Sequence, residues 1–297
     1  MTEKTKAHLA LLGTAIFFAI NFTAIKYLVN SGFVKPFGLN LMRVGISATL
    51  LWVLYFFSPQ KQPVQKKDYL RFFLCALAGI AINQLLFVKG LSLTTSIHAS
   101  LLLLITPILI TFIAAWILKE RLTIYKLAGL GLGIAGALVL ILAKEKTANA
   151  KEMLLGDILI ILNAISYTFY FVLVKPLMKE YNPIAVLRIV FTIGFFMILP
   201  FCFTEFKEIS WATYGIKEYF TLALIVLGGT FFAYLFNIYG IKILGASVAG
   251  TYIYLQPFFA AAIAIVFLDE ELSTYKIFAG ILIFAGVFLA NKQASSG

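Results

Sequence analysis

The sequence predicts an all-α, polytopic membrane protein with ten transmembrane helices in two inverted five-helix repeats. Of its 297 residues, 62% are hydrophobic and only 12% are charged, too few to cover a soluble domain of this length. Ten apolar stretches are each long enough to cross a bilayer as a helix. The second half of the sequence also repeats the first, which is the third observation behind this prediction.

The ten predicted spans follow one another with short connectors and take up most of the chain. The first span lacks a small-residue cleavage site, so we expect a retained helix rather than a signal peptide. No stretch remains for a soluble catalytic domain. In order, the spans are 9–29, 37–57, 69–91, 97–118, 124–143, 154–174, 183–203, 219–241, 247–268 and 275–291.

The ten spans form an internal repeat of five and five. A shift of 150 positions aligns 93–144 with 243–294 without a gap, and small changes of offset extend the match backwards. Because each half has an odd number of spans, the second half enters the membrane inverted. We therefore predict a first repeat over 1–146 and a second, inverted repeat over 147–297. Matched pairs include Arg43 and Arg188, Gln84 and Tyr234, Thr106 and Gln256, Pro107 and Pro257, and Glu120 and Glu270.

Polar and aromatic residues recur at helical spacing inside several spans, which places them on one face of each helix. Inverted-repeat transporters bind substrate where the halves meet, so we expect these faces to line a central cavity. A lone polar residue in a span more often makes an interhelical hydrogen bond, and that alternative stays open for each residue. The predicted cavity residues are Asn21, Gln84, His98, Asn163, Tyr167, Tyr170, Tyr234, Asn237, Tyr252 and Gln256.

A second group of residues is predicted to have structural or gating roles. Arg43 and Arg188 are each the only full charge in an apolar stretch, where a guanidinium costs about 2.5–3.5 kcal/mol on insertion scales. Structural pairing, snorkelling to the membrane surface and direct contact with substrate are all open for these arginines. A proline within a span removes a backbone donor and loosens the helix. The group comprises Arg43, Arg188, Pro107, Pro257, Glu120 and Glu270.

Several classes of function are disfavoured. No zinc-protease, phosphate-binding-loop or nucleophile-elbow motif occurs, so we predict that the protein is not an enzyme and binds no cofactor and no metal. The glycines of a dinucleotide-binding pattern, Gly131, Gly133 and Gly136, lie inside an apolar span and indicate close helix packing instead. No Asp or Glu lies in the middle of a span, which favours facilitated transport or exchange over strict proton coupling.

The formal net charge of +11 is spread over the connectors rather than clustered. Such a basic excess meets anionic lipid headgroups, and its bias favours cytoplasmic N- and C-termini. We expect an integral protein of the plasma (inner) membrane. Its expected partners are a small-molecule substrate and the lipid bilayer, with no nucleic acid; a homodimer is compatible with the sequence.

The chain resembles the EamA-like permeases, the ten-helix branch of the drug/metabolite transporter superfamily. The resemblance is carried by FFAINFTAIK (17–26), by Arg43, and by the Ser/Thr-rich stretches 89–122 and 239–272 with their mid-helix proline and Leu-x-Glu ending. It implies a basket in which helices three, four, eight and nine, with parts of one and six, surround a cavity while five and ten pack outside. One departure is that the family's first-helix Trp-Gly is Phe18-Ala19 here.

Together these features predict a secondary transporter that moves small metabolites by alternating access. An amino-acid or other metabolite exporter is favoured, because members of this family carry small metabolites and many of them export. Apolar walls with a few placed polar groups also suit a mid-sized, partly apolar solute. Two alternatives remain: a lipid or lipid-carrier flippase on the same scaffold and, from another class, an intramembrane enzyme.

Overall fold

The computed structural model describes residues 1–58, 63–117, 124–142 and 150–291, and this part of the chain is almost entirely helical, with no strand. Each predicted span coincides with a helix, numbered α1 to α10 in chain order. Their bounds are α1 Glu3–Asn30, α2 Pro36–Phe56, α3 Lys66–Leu93, α4 Ser96–Leu103 with Thr106–Ile117, α5 Ile124–Leu142, α6 Ala150–Glu180, α7 Pro183–Lys207, α8 Ile216–Leu244, α9 Ala246–Tyr252 with Gln256–Leu268, and α10 Thr274–Asn291.

The lengths and composition of these helices are those of membrane spans. Within the described residues, eight helices are long and apolar enough to cross a bilayer, and two shorter apolar helices, Ser96–Ile110 and Thr274–Ala290, complete the set. Large apolar side chains point outward along them, among them Phe56, Phe201 and Phe267. A soluble protein would not leave so much apolar surface in water, so the chain is a polytopic membrane protein.

The two halves are packed helix against helix, and the packing shows that they are inverted. The repeat-matched helices α5 and α10 lie side by side, as do α2 and α7. Gly129 of α5 lies against the Gly286 carbonyl, whereas Gly136 lies against the carbonyl of Ala279. Residue numbers thus rise along α5 as they fall along α10, so the two helices are antiparallel. Repeat-matched helices that run antiparallel require that one repeat is upside down relative to the other.

Glycines, which have no side chain, let α5 and α10 approach closely. A methyl group added to Gly129 would lie 2.5 Å from the Gly286 carbonyl oxygen, and one added to Gly286 would lie 2.5 Å from the Gly129 carbonyl oxygen. Of the glycines in the α5 pattern, Gly133 and Gly136 lie on packing faces, as the sequence predicted, whereas Gly131 does not.

Helices α3 and α8 are interrupted at matched places by π-helical segments, Leu77–Ile82 and Leu224–Phe232. Each segment shifts the ladder of backbone hydrogen bonds by one residue, and such segments are frequent at functional sites. Gln84 and Tyr234, which are repeat-matched, follow the two segments directly.

Helices α4 and α9 are also interrupted at matched places, in both repeats just before the proline. The first segment of α4 ends at Leu103 and the second begins at Thr106, one residue before Pro107. In α9 a 3₁₀ turn over Ile253–Leu255 precedes Gln256 and Pro257. Both breaks expose backbone groups in the middle of the bundle, which is tolerated at membrane depth where a helix lines a cavity.

Two sequence predictions lie outside the described residues. The boundary between the repeats at 146 and 147 falls within 143–149, and Glu120 falls within 118–123. The division of the chain into 1–146 and 147–297 therefore stays a prediction.

Candidate functional site

A cavity lies in the middle of the bundle, where the two repeats meet. It holds about 830 Å³ of empty space, including the part continuous with solvent, and the centre of a water molecule can reach about 100 Å³ of it. That is room for several water molecules or one small solute. Its polar and aromatic wall consists of Thr14, Phe18, Asn21, Phe22, Arg43, Asn83, Gln84, Phe87, Thr106, Asn163, Tyr167, Tyr234, Asn237, Tyr252 and Gln256.

The residues that the sequence placed in this wall are largely brought together. Seven helices supply the wall, namely α1, α2, α3, α4, α6, α8 and α9. Whether these side chains bind a substrate stays a prediction. The predicted residues that line the cavity are Asn21, Gln84, Asn163, Tyr167, Tyr234, Asn237, Tyr252 and Gln256.

His98 and Tyr170 do not line this cavity, and their place in a substrate site stays a prediction. Tyr170 shares a helix face with Asn163 but lies about 10 Å further along α6, at 1.5 Å per residue, where its ring packs against Gly79 of α3. His98 lies near the start of α4, two turns from Thr106, and is fully buried. For Tyr170, helical spacing gave the face that it shares with Asn163 but not the depth at which the cavity ends.

The residues Gln84 and Tyr234 bond to each other across the repeats. The Gln84 Nε2 donates to the Tyr234 hydroxyl at 2.5 Å, and both side chains are buried. Because the two positions are repeat-matched, a direct bond between them places them beside the axis that relates the repeats. The bond also orients the Gln84 amide and leaves its Oε1 without a hydrogen-bond partner in the described structure.

Asparagines on α3 and α6 join those two helices beside the cavity. The Asn83 Nδ2 donates to the Asn163 carbonyl at 3.2 Å, and the Asn163 Nδ2 donates to the Asn83 carbonyl at 2.8 Å. On the α8 side, the Asn237 Nδ2 donates to the Tyr167 hydroxyl at 3.2 Å. Part of the predicted site is therefore also structural, since these amides link helices as well as border the cavity.

Arg43 borders the cavity from α2 and is held by the π-helical segment of α8. Its Nε donates to the Thr230 Oγ1 at 3.0 Å, and the Thr230 hydroxyl itself donates to the Ile225 carbonyl at 2.9 Å. The side chain is 2% exposed, and its Nη1 has no hydrogen-bond partner in the described structure. The guanidinium is therefore buried rather than snorkelling to the membrane surface, and Thr230 is a structural partner for it.

Arg188, the repeat mate of Arg43, has a different environment. Its guanidinium stacks on the rings of Trp52 and Tyr55, with 4.3 Å and 3.6 Å between the guanidinium carbon and the ring centroids. It does not border the cavity. Cation–π stacking gives this arginine a partner inside the protein.

A polar network fills the bundle at the end where α1 finishes and α4 begins. The Lys26 ammonium donates to the Thr94 carbonyl, and the Thr94 hydroxyl donates to one Asp157 carboxylate oxygen. The other Asp157 oxygen lies 3.2 Å from the His98 Nδ1. Both carboxylate oxygens of Glu270 accept backbone N–H groups at the start of α4, from Ser96 at 2.7 Å and Ile97 at 2.9 Å. These contacts link α1, α4, α6 and the α9–α10 connector.

Asp157 is a buried carboxylate near one end of a span, not in its middle. The sequence placed this residue near a span end, but α6 begins earlier than predicted, at Ala150, and Asp157 is 1% exposed. The cavity wall itself contains no Asp or Glu among the described residues. The buried acid therefore belongs to the network at one end and not to the central cavity.

Sequence reasoning left some wall residues out of the predicted site. Thr14, Phe18 and Asn21 stand on one helix face, at i, i+4 and i+7, and Thr106 directly precedes Pro107, so spacing could have found them. Asn83 had no signal of its own beyond its neighbour Gln84. Arg43 was grouped with structural residues, because its depth in the membrane could not be read from distance to the span ends.

The sequence matches a known family twice, once in each repeat. The model of the EamA-like transporter family matches residues 5–142 and again residues 154–292. An uncharacterised transporter of Archaeoglobus fulgidus is 24% identical, with 97% of this chain and 98% of that protein covered. The uncharacterised transporter YyaM of Bacillus subtilis is 23% identical over 96% of this chain and 93% of its own length. A WAT1-related protein of Arabidopsis thaliana is 26% identical over 97% of this chain and 85% of its own length.

A solved structure shares the fold. A chain described only as a crystal structure of a protein superposes with a TM-score of 0.63 at 20% identity, covering 96% of this chain and 99% of that one.

Proposed function

The chain belongs to the EamA-like transporter family, and from this premise we propose that it moves a small, partly apolar metabolite across the plasma membrane by alternating access. A neutral amino acid is the substrate class that we propose first, with export as the direction. The relatives carry the names of transporters, and we propose no catalytic role for this chain.

The observation that carries the proposal is the central cavity between two inverted repeats. A site near the pseudo-twofold axis can be reached from either side of the membrane if the repeats exchange conformations, which is the basis of alternating access. In this conformation one end of the bundle is filled by the network around Asp157. Helix α9 carries the wall towards the opposite end, where the Tyr252 hydroxyl lies 2.7 Å from the Nδ1 of exposed His8.

The composition of the wall supports an amino acid over larger or more polar solutes. Aromatic and aliphatic side chains such as Phe18, Phe22 and Phe87 alternate with a few amides and hydroxyls. Such walls hold the apolar part of a ligand while the polar groups fix its orientation.

Counterflow in proteoliposomes tests the proposal. Purified protein reconstituted into liposomes loaded with a mixture of unlabelled neutral L-amino acids should accumulate the labelled form of at least one of them, and protein-free liposomes should not. Movement of a short-chain fluorescent lipid without any amino-acid flux would favour the lipid-translocating alternative. Absence of both would contradict the proposed function.

We also propose that transport is facilitated or driven by exchange rather than strictly coupled to protons. The support is that no Asp, Glu or His is part of the cavity wall among the described residues. Flux should therefore persist when inner and outer pH are equal. A collapse of uptake without a pH gradient would contradict this and would implicate the buried pair of His98 and Asp157.

A further inference from the structure

Arg43 presents an uncompensated positive charge to the cavity. Its Nε is bonded to Thr230, but Nη1 has no hydrogen-bond partner, and no carboxylate forms an ion pair with it in the ranges 1–58, 63–117, 124–142 and 150–291. A buried cation without a counter-charge is costly, and burial is usually repaid by an anion and further hydrogen bonds. Because Arg43 lines the cavity, a ligand bound there can supply the missing anion.

Arg188, the repeat mate of Arg43, shows that an arginine at this position of the repeat can find a partner for its charge inside the protein. Arg188 occupies the matched position on α7, and its charge is met by two aromatic rings away from the cavity. Since the two arginines share ancestry in the repeat but only Arg43 faces the wall, the difference points to a role for Arg43 at the wall.

Two hydrogen-bond acceptors in the same wall also have no partner. These are Oδ1 of Asn21, a residue 2% exposed, and Oε1 of Gln84, a residue 4% exposed. Buried polar atoms normally have partners, so a ligand with N–H donors would satisfy both oxygens. All three residues line the cavity, and a small movement of their side chains would present one charged donor for an anion and two neutral acceptors for N–H groups.

We propose that Arg43 binds the carboxylate of the transported molecule, while Asn21 and Gln84 accept hydrogen bonds from its amino group. This inference rests on the proposed function and narrows it: the substrate is an α-amino acid with an apolar side chain, recognised first through its carboxylate. Arginine suits this task because its planar fork can donate two parallel hydrogen bonds to one carboxylate. The aromatic wall residues then contact the side chain.

Three probes that differ by one group test the recognition. L-Phenylalanine has both the carboxylate and the amino group, L-phenylalaninamide lacks the carboxylate, and 3-phenylpropionate lacks the amino group. Each is measured in two ways: stabilisation of the purified protein against heat, which reports binding, and competition for counterflow, which reports transport. Phenylalanine and 3-phenylpropionate should bind, whereas phenylalaninamide should bind about 100-fold more weakly, since it leaves the buried charge unpaired.

Variants of the two repeat-matched arginines test whether Arg43 is the residue that recognises the carboxylate. Arg43→Gln should abolish the difference between phenylalanine and phenylalaninamide, and Arg188→Gln should keep it, because Arg188 lies outside the wall. Arg43→Lys keeps the charge but not the fork, and should retain a preference for the carboxylate with weaker binding. If Arg43→Gln does not fold, Arg43→Lys and Thr230→Val, which removes the hydroxyl that orients the guanidinium, provide the test in folded protein.

The outcomes separate this inference from the proposed function. Carboxylate-dependent binding without flux would overturn the transport proposal and keep the role of Arg43. Flux or binding that is equal for phenylalanine and phenylalaninamide in the wild type would overturn the role of Arg43 and keep the transport proposal. Binding of none of the three probes, or an Arg188→Gln variant that loses carboxylate preference as Arg43→Gln does, would also overturn it.

Discussion

At the scale of single residues, depth along a helix decides which polar side chains meet the cavity. Gln256 and Tyr170 show the contrast, because both were predicted to be cavity residues. Gln256 borders the cavity just before the proline that interrupts α9, whereas the Tyr170 ring packs between helices against Gly79. The two residues therefore form a matched pair for mutation.

Gln256→Ala should lower transport, and Tyr170→Phe should leave it unchanged. The loss of one neutral hydrogen bond to substrate is worth about 0.5–1.5 kcal/mol, which corresponds to a loss of transport efficiency between roughly twofold and thirteenfold. Initial rates of counterflow at equal amounts of reconstituted protein measure the effect. Unchanged flux in Gln256→Ala would remove this residue from the site, and a loss in Tyr170→Phe would restore Tyr170 to it.

The sequence predicted the residue types of the site better than their partners. Periodicity placed Asn21, Gln84 and Gln256 in one wall because the face of a helix follows from spacing alone. It could not show that Gln84 bonds to Tyr234, its own repeat mate, or that Asp157 joins His98. Those contacts depend on how the helices are translated relative to one another, which spacing within a single helix does not contain.

At the scale of elements, one carboxylate caps the start of α4. The first N–H groups of a helix have no partner within it, and both oxygens of Glu270 accept such groups, from Ser96 and Ile97. The negative charge also lies at the positive end of the helix dipole. The contact ties the α9–α10 connector to α4 and helps to close that end of the bundle.

Glu270→Ala should destabilise the protein by about 1–2 kcal/mol, since a lost cap leaves N–H groups without an acceptor. The adjacent Glu271 is exposed, and Glu271→Ala should change stability by less than about 0.5 kcal/mol. Thermal unfolding in detergent, followed by size-exclusion chromatography after heating, compares the two variants. Equal melting temperatures would show that the Glu270 contacts contribute nothing to stability.

Close packing of α5 on α10 gives a second prediction for elements. Gly129 meets the Gly286 backbone, while a methyl group at Gly131, two residues further along the same helix, would have nothing within 4 Å. Gly129→Val should therefore force the helices apart and cost about 1–3 kcal/mol, as overpacking does. Gly131→Val should leave the melting temperature near that of the wild type. If Gly131→Val lowered the melting temperature more than Gly129→Val, α5 would have to present another face to α10.

The sequence predicted where helices occur but not how they are interrupted. Apolar length located all ten spans, and Pro107 and Pro257 marked the breaks in α4 and α9. The π-helical segments of α3 and α8 contain no proline, so they had no local signal. In both segments a side chain of a neighbouring helix lies close against a glycine: Tyr170 of α6 against Gly79, and Asn21 of α1 against Gly229.

At the scale of the whole molecule, the inverted repeats relate function to topology. An inward-facing state and an outward-facing state are equivalent by the pseudo-twofold axis, apart from differences in sequence between the repeats. In this conformation the network around Asp157 closes one end. The residue of the first repeat that matches Asp157 is His8, which is exposed and contacts Tyr252. The matched positions at the two ends therefore differ in chemistry, which allows one state to be favoured over the other.

Inversion makes a sharp prediction about accessibility. Ser31 follows α1 and Glu180 ends α6, so the two positions are repeat-matched, and both are exposed. In an inverted pair they lie on opposite sides of the membrane. With both termini in the cytoplasm, as the basic connectors favour, Ser31 faces outward and Glu180 faces the cytoplasm.

Single-cysteine variants test this in a background in which the buried Cys75 and Cys202 are replaced by alanine. An impermeant maleimide should label Ser31→Cys in intact cells and Glu180→Cys only after permeabilisation. Labelling of both from the same side would contradict the inversion and with it alternating access about the axis. Labelling with the sides exchanged would keep the inversion but place the termini outside, and the end closed by Asp157 would then face the cytoplasm.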